Sequence, residues 1–251
     1  MNDGGGQSPI AKRRRQPVGK ARPEREPNLP EATTFDRLVA SKAAEDDLTQ
    51  TRWWWIRHAP VRVDNGRIYG QRDLPCDCSD VRVLSALAAL LPRDATWVTS
   101  HLARTRQTAE AILAAGDLTP RRFLQDKDFA EQHLGDWQGL DRRSFLLNRK
   151  QEPDSFWYAP ADERAPNGES FADVVARVGA AIARLNGAHR GSDIVAVGHG
   201  GTIRAALAIA LRLPPRGGLA FTTDNCSLTR LDHYQGSNGA GWRVVMVNHR
   251  P

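Results

Sequence analysis

From residue 53 onward, short apolar runs alternate with amphipathic segments, and this pattern predicts the elements of a layered α/β fold. Five runs have the length and composition of strands: 53–56, 97–99, 194–197, 227–231 and 242–247. Two intervening segments, 81–91 and 171–185, carry an apolar stripe at helical spacing. Ser170, followed by Asp173, predicts a capping box at the start of the second. We therefore expect a three-layer α/β/α fold with a mostly parallel central sheet.

Two segments depart from this pattern. Residues 1–48 are rich in Gly, Pro and charged residues and offer too little apolar surface to offset the entropy of ordering, so we predict a disordered basic tail. Residues 49–251 are then one domain. Within it, the periodicity fades over 129–168, and we predict a lid-like insertion there.

The charge and the cysteines narrow the class of protein. The net charge is +6, but residues 1–30 hold seven Lys/Arg against three Asp/Glu, so the remainder is nearly neutral. For the basic run 12–15 we favour a solvated leader over a nucleic-acid contact. Three cysteines, Cys76, Cys78 and Cys226, form neither a disulfide framework nor a zinc spacing. With no apolar stretch of membrane-spanning length, we expect a soluble cytoplasmic protein with no membrane partner. Its oligomeric state is not indicated by the sequence.

Two predicted strands end on a histidine. His58 follows the run 53–56 after Arg57, and His199 follows the run 194–197 after Gly198. Because open α/β sheets bind ligands at the carboxyl ends of their strands, we expect both imidazoles in one crevice. A neutral imidazole is a nucleophile toward phosphorus, and arginine binds phosphate oxygens through paired N–H groups. The pattern therefore predicts a phosphate site.

Three further positions complete this predicted site. Arg104 lies near the start of the helix expected after 97–99, where the helix N-terminus adds positive potential. Gly200 places backbone N–H groups at another helix start. Glu131 begins the insertion and is the candidate acid for the departing oxygen. Phosphoryl transfer through a loose, highly charged transition state needs such fixed cations, a nucleophile in line and an acid.

These segments, in order, resemble the four signatures of the histidine phosphatase superfamily, the phosphoglycerate-mutase-like enzymes. The segments are Arg57-His58, 100–108 with Arg104, 131–139 with Glu131, and 198–200 with His199. The resemblance spans about residues 53–247. It implies that His58 is the phosphorylated nucleophile, that Arg57, Arg104 and His199 hold the phosphate, and that Glu131 is the proton donor and then the base. It also implies chemistry with no metal and no cofactor.

We therefore predict a metal-independent phosphatase that hydrolyses a small-molecule phosphate monoester through a phosphohistidine intermediate. The Trp-Asn pair that family mutases usually carry soon after the nucleophile is missing from the sequence, which favours hydrolysis over phosphate relocation. Among the phosphatases, the sequence resembles the bacterial group that contains α-ribazole phosphatases. A phosphoglycerate-type mutase and a non-catalytic phospholigand-binding protein remain open as alternatives.

The residues after the nucleophile differ from the family pattern. Ala59 stands where the family usually has glycine, and alanine would be strained there if the position needed a positive φ. We interpret this difference as a subfamily variant. In the loop that follows, Asn65, Arg67 and Tyr69 are candidate substrate contacts.

Overall fold

The computed structural model describes Met1, residues 48–149 and residues 156–251, and its strands form one mixed sheet. The strands are β1 (Thr49–Arg57), β2 (Ala95–Thr99), β3 (Arg122–Gln125), β4 (Asp193–Gly198), β5 (Leu228–Gly236) and β6 (Gly239–His249). Their order across the sheet is β3-β2-β4-β1-β5-β6. The first four are parallel, whereas β5 and β6 form an antiparallel hairpin next to β1. The expected mostly parallel sheet is therefore confirmed.

Helices cover both faces of this sheet. They are α1 (Val81–Leu90), α2 (Ala103–Gly116), α3 (Arg142–Leu147), α4 (Phe171–Ala188), α5 (Gly200–Ala210) and α6 (Pro215–Gly218). The apolar sides of α1 and α2 share one buried cluster with the sheet, and those of α4 and α5 share another. This arrangement confirms the three-layer prediction. The predicted capping box is also present, because Ser170 and Asp173 each accept a hydrogen bond from the other's backbone N–H at the start of α4.

The three consecutive tryptophans fix β1 at the centre of the sheet. Trp53 and Trp55 are fully buried on the α4–α5 face and stack with ring centroids 5.2 Å apart. Trp54 points to the opposite face, beneath the guanidinium of Arg230. At about 25 cal/mol per Å² and about 200 Å² per ring, each fully buried tryptophan adds about 5 kcal/mol of gross hydrophobic stabilisation. Burial on both faces makes β1 a rigid platform for the residues that follow it.

The insertion is partly regular in the structure. Short 3₁₀ turns cover Lys127–Phe129 and Gly135–Trp137, and α3 follows them. A third apolar cluster, which includes Leu134 and Ala165, packs this segment against Ile68 of the loop after β1. Residues 150–155 lie outside the described residues, and the action of the insertion as a lid stays a prediction. The predicted tail also lies outside them, apart from Met1 and Leu48. No helix within the described residues combines the length and the apolar composition needed to cross a bilayer.

Candidate active site

His58 and His199 meet because β1 and β4 are parallel neighbours in the sheet. Arg57 pairs with Gly198, so each strand delivers its histidine at the same level. The His58 N–H donates to the Gly198 carbonyl at 3.0 Å, and the two imidazole centroids lie 5.2 Å apart. Parallel pairing, which brings carboxyl ends to one edge, thus places both rings in one buried cluster.

The His58 ring is held in one tautomer. Its Nδ1 lies 2.7 Å from the carbonyl oxygen of Ala59, which can only accept, so Nδ1 carries the proton and Nε2 keeps its lone pair. Burial is the main cause that holds the pKa of His58 well below its usual value, and the positive charges of Arg104 and Arg57 add to it. The result is a neutral imidazole with a free nucleophilic nitrogen.

Ala59 is accommodated without backbone strain. It does not occur among the residues with positive φ, and its side chain is buried. Its N–H donates to Thr108 Oγ1 at 2.8 Å, and that hydroxyl donates in turn to the Arg104 carbonyl. The position therefore does not require glycine, and the loop after His58 is hydrogen-bonded to α2.

Two arginines flank the histidines, Arg104 buried and Arg57 half-buried. Arg104 is fully buried in the first turn of α2, and its terminal nitrogens donate to the carbonyls of Arg72 and Gly70. Arg57 donates to the Thr223 carbonyl at 2.6 Å. In the described part of the chain, the Nε atoms of both arginines are buried and have no acceptor. Two buried N–H groups without partners are what an oxyanion would satisfy.

His199 caps the N-terminus of α5 and is fully buried. Its Nε2 lies 2.8 Å from Ser100 Oγ, at the end of β2, while its Nδ1 is buried and finds no partner among the described residues. Burial, followed by the charge of Arg104, holds the pKa of His199 well below its usual value. Like His58, this ring is neutral near pH 7.

Glu131 reaches the same cluster from the start of the insertion. Its carboxylate accepts hydrogen bonds from the N–H groups of Gly201, at 3.1 Å, and Gln132, at 2.9 Å. A Cβ on Gly201 would lie 2.4 Å from Glu131 Oε1, so only glycine allows this approach. The Glu131 carbonyl is fixed by Arg177 and Gln71. Glu131 is thus a buried carboxylate held at the positive end of α5.

The three candidate substrate contacts occupy different places. Tyr69 lies next to the cluster, with the Arg104 guanidinium 5.1 Å from its ring centroid. Arg67 is exposed and donates to the Gly139 carbonyl of the insertion at 2.7 Å. Asn65 is exposed in a turn with positive φ. The structure therefore brings only Tyr69 of these three to the histidines, and their contact with substrate stays a prediction.

Sequence reasoning missed three polar residues of this site: Ser100, Arg204 and Thr223. Ser100 contacts His199 directly, and its position immediately after β2 was the available signal. Arg204 lies one helical turn after Gly200, at the i+4 spacing that puts both on one side of α5. Thr223 comes from an irregular loop, and nothing in its local sequence indicates its place. Among the described residues, no group of three or more His, Cys, Asp or Glu side chains is arranged to hold a metal ion.

Comparisons with known proteins agree with this geometry. The sequence model of the histidine phosphatase superfamily (branch 1) matches residues 53–249. A probable phosphoglycerate mutase of Serratia proteamaculans is 28% identical over 193 residues, which cover 75% of this chain and 88% of the relative.

Two solved structures are similar to this chain as well. A mycobacterial glucosyl-3-phosphoglycerate phosphatase has a TM-score of 0.67 and 28% identity, covering 79% of this chain and 99% of that one. The α-ribazole phosphatase of Shigella flexneri has a TM-score of 0.61 and 26% identity, covering 79% and 96%. The family resemblance in the sequence is thereby confirmed, and the relatives include both phosphatases and a mutase.

Proposed function

The chain belongs to the histidine phosphatase superfamily, branch 1, and from this membership we propose that it is a metal-independent phosphatase that hydrolyses a small-molecule phosphate monoester through a phosphohistidine intermediate. The observation that carries the proposal is the state of His58. Its Nδ1–H is held by the Ala59 carbonyl, and its lowered pKa keeps the ring neutral, so Nε2 is free to attack phosphorus.

In the first step, His58 Nε2 forms a bond to phosphorus while the ester P–O bond breaks. The unpartnered N–H groups of Arg57 and Arg104 hold the equatorial oxygens and offset their charge. His199 adds a further hydrogen bond through its buried Nδ1. Glu131, in its protonated form, gives its proton to the departing alkoxide, so the alcohol leaves neutral.

In the second step, water hydrolyses the phosphohistidine. Glu131, now a carboxylate, takes a proton from the water as its oxygen attacks phosphorus, and the N–P bond breaks to return neutral His58. The hydrogen bonds from Gly201 and Gln132 keep the carboxylate in place for both steps. Inorganic phosphate then leaves the arginines.

An aryl phosphate assay tests the proposal. We expect wild-type protein to release phosphate in the presence of EDTA, and His58→Ala to lose at least about 1,000-fold in kcat because it lacks the nucleophile. The matched control is His249→Ala, an exposed histidine at the end of β6, which should match the wild type. Acid-labile labelling of His58 by the substrate would mark the intermediate. Equal turnover by wild type and His58→Ala would refute the mechanism.

A phosphoglycerate-type mutase is the second candidate, and the Serratia relative named as a probable phosphoglycerate mutase favours it. Both reactions share the phosphohistidine step and differ in the acceptor, which is water in one and a second hydroxyl in the other. A phosphoglycerate assay that measures free phosphate and isomerised product together separates them. The panel should include α-ribazole phosphate, since the Shigella neighbour is an α-ribazole phosphatase. Binding of these ligands with neither product would leave a phospholigand-binding protein.

A further inference from the structure

Arg204 is a half-buried cation that the proposed chemistry does not use. It lies one turn into α5, and its Nε donates to the Phe221 carbonyl at 2.8 Å. Its guanidinium lies over the Trp157 ring, 4.8 Å from the centroid. Within the described ranges, 48–149 and 156–251, Arg204 forms no ion pair, and its hydrogen bond to protein is made by Nε and not by the two terminal nitrogens. Those nitrogens are therefore available to a ligand.

The space beside Gly200 collects polar groups from three elements. A Cβ on Gly200 would lie 3.0 Å from Arg204 Nη1, 3.3 Å from Thr223 Oγ1 and 3.6 Å from Arg57 Nε. Thr223 is 3% exposed, and its hydroxyl, like Arg57 Nε, is buried with no partner in the described part of the chain. A buried hydroxyl left unpaired costs about 1 to 3 kcal/mol, so a ligand that pairs with it would recover free energy.

The charges point to an anion in this place. Burial lowers the pKa of Arg204 to about 10, with Glu131 opposing the shift and Arg57 adding to it. The guanidinium groups of Arg57 and Arg204 both lie beside Gly200 and repel each other. A cation withdrawn from water is costly unless an opposite charge is near. The nearby carboxylate is Glu131, which must be protonated when it acts as an acid. Asp224 also raises the pKa of Arg204, but less than Glu131 does, and it is already paired with Arg250.

The position of Glu131 indicates which part of the substrate Arg204 would face. A Cβ on Gly201 would lie 2.4 Å from Glu131 Oε1 and 3.6 Å from a ring carbon of Trp157, and the Trp157 ring lies under the Arg204 guanidinium, so Glu131 and Arg204 are both close to this ring. In the proposed mechanism, Arg57 and Arg104 hold the transferred phosphoryl group and Glu131 contacts the departing oxygen. Arg204 is next to Arg57 at Gly200, and its opposite side, covered by Trp157 from the insertion, is the side of Glu131 and of the alcohol.

We propose that Arg204, with Thr223 and the face of Trp157, is a second anion subsite that binds a carboxylate or phosphate group carried by the alcohol part of the substrate. The inference rests on the proposed phosphatase function and names its substrate class, which is a phosphate monoester with a second anionic group. Arginine is suited to this role because its planar fork matches both anions.

Matched substrate pairs test the subsite. The carboxylate pair is 3-phosphoglycerate against glycerol 3-phosphate, and the phosphate pair is glucose 1,6-bisphosphate against glucose 1-phosphate. We expect wild-type kcat/KM to favour the anionic member of at least one pair by about 10- to 100-fold, the range of a charge-assisted hydrogen bond. The pair that shows the preference identifies the anion. In Arg204→Gln the ratio within that pair should fall toward one.

Two further variants guard against loss of folding. Thr223→Val removes a hydroxyl that has no protein partner and keeps the side-chain shape, so it should fold and lower the ratio by about 3- to 10-fold. Arg106→Gln, which alters an exposed arginine paired with Glu110, is the control and should leave the ratio unchanged. An unchanged ratio in both Arg204→Gln and Thr223→Val, or a wild type with no preference in either pair, would overturn the subsite.

A binding measurement separates this inference from the proposed function. Isothermal titration of the same pairs into His58→Ala protein reads the preference without turnover. Preferential binding of an anionic member, with no hydrolysis by the wild type, would support the subsite and contradict the phosphatase. Hydrolysis at equal rates within both pairs would support the phosphatase and contradict the subsite.

Discussion

At the scale of single residues, the hydroxyl of Ser100 decides which nitrogen of His199 can donate. A neutral imidazole carries one proton, and the lowered pKa keeps His199 neutral. Thr105 gives its hydroxyl proton to the Leu102 carbonyl at 2.9 Å, so the single proton of Ser100 can go to Thr105 Oγ1, at 3.0 Å, or to His199 Nε2, at 2.8 Å. The proposed contact of His199 with the phosphate requires that Ser100 donate to His199 Nε2. His199 Nδ1 then carries the ring proton and points it at the phosphate. Ser100 is thus a positioning residue.

Replacing Ser100 tests this assignment. In Ser100→Ala the Nε2 atom loses its donor, so the proton is free to move to Nε2 and the phosphate faces a bare lone pair. We expect kcat/KM for an aryl phosphate to fall by about 10- to 100-fold, as when one oxyanion donor is lost. Ser237→Ala, in the exposed β5–β6 turn, is the control. Full activity in Ser100→Ala would contradict the role.

At the scale of elements, the N-terminus of α5 joins three parts of the mechanism in one turn. His199 is its cap, Gly200 makes room for Arg57 and Arg204, and Gly201 donates to Glu131. The first N–H groups of a helix have no partner within it, and they favour negative charge. The same turn therefore orients the acid and leaves room for the phosphate.

Gly201→Ala probes this turn. The added methyl would lie 2.4 Å from Glu131 Oε1, so the carboxylate must move away from the leaving oxygen. We expect kcat to fall by about 10- to 100-fold, within the range for general acid–base catalysis, while inhibition by inorganic phosphate changes little. The control is Gly187→Ala in α4, where a Cβ meets nothing within 4 Å. This substitution should raise the free energy of unfolding by at most about 1 kcal/mol. Equal kcat in Gly201→Ala and wild type would place the acid elsewhere.

The sequence predicts most elements but not all of them, for physical reasons. The strands before His58 and His199 are buried on both faces, so their apolar runs are unmistakable. β3 escaped prediction because it is a short edge strand with three exposed residues among four. β5 and β6 extend beyond the predicted limits, since backbone pairing in the hairpin continues through polar positions.

Some residues of the candidate site could likewise be predicted from the sequence, and others could not. Arg57, His58, Arg104, Glu131 and His199 lie in short motifs at the ends of elements, and such positions follow from the chain alone. Ser100 and Thr223 matter only because the sheet order and a loop bring them to His199 and Gly200. Their hydroxyl groups have no local pattern that marks them, so only the packed structure reveals them.

At the scale of the whole molecule, two buried neutral imidazoles couple folding stability to pH. The folded state holds the pKa of His58 and His199 below the unfolded value of 6.5, so the unfolded chain binds more protons as the pH falls. The free energy of unfolding therefore rises with pH and is lost progressively below pH 6.5. His189 and His233 also have lowered pKa values and contribute.

Comparing variants isolates the share of the active-site histidines. From pH 6.5 to 5.5, each histidine that stays neutral in the folded state should cost about 1 kcal/mol of unfolding free energy. We expect urea unfolding of His58→Gln to show a loss over this interval that is about 1 kcal/mol smaller than in wild type, because one proton-binding site has been removed from the unfolded chain. His249→Gln, at an exposed position, should keep the wild-type dependence. If His58→Gln and wild type lose the same free energy, His58 is not held neutral, and the folded protein lacks the nucleophile that the mechanism requires.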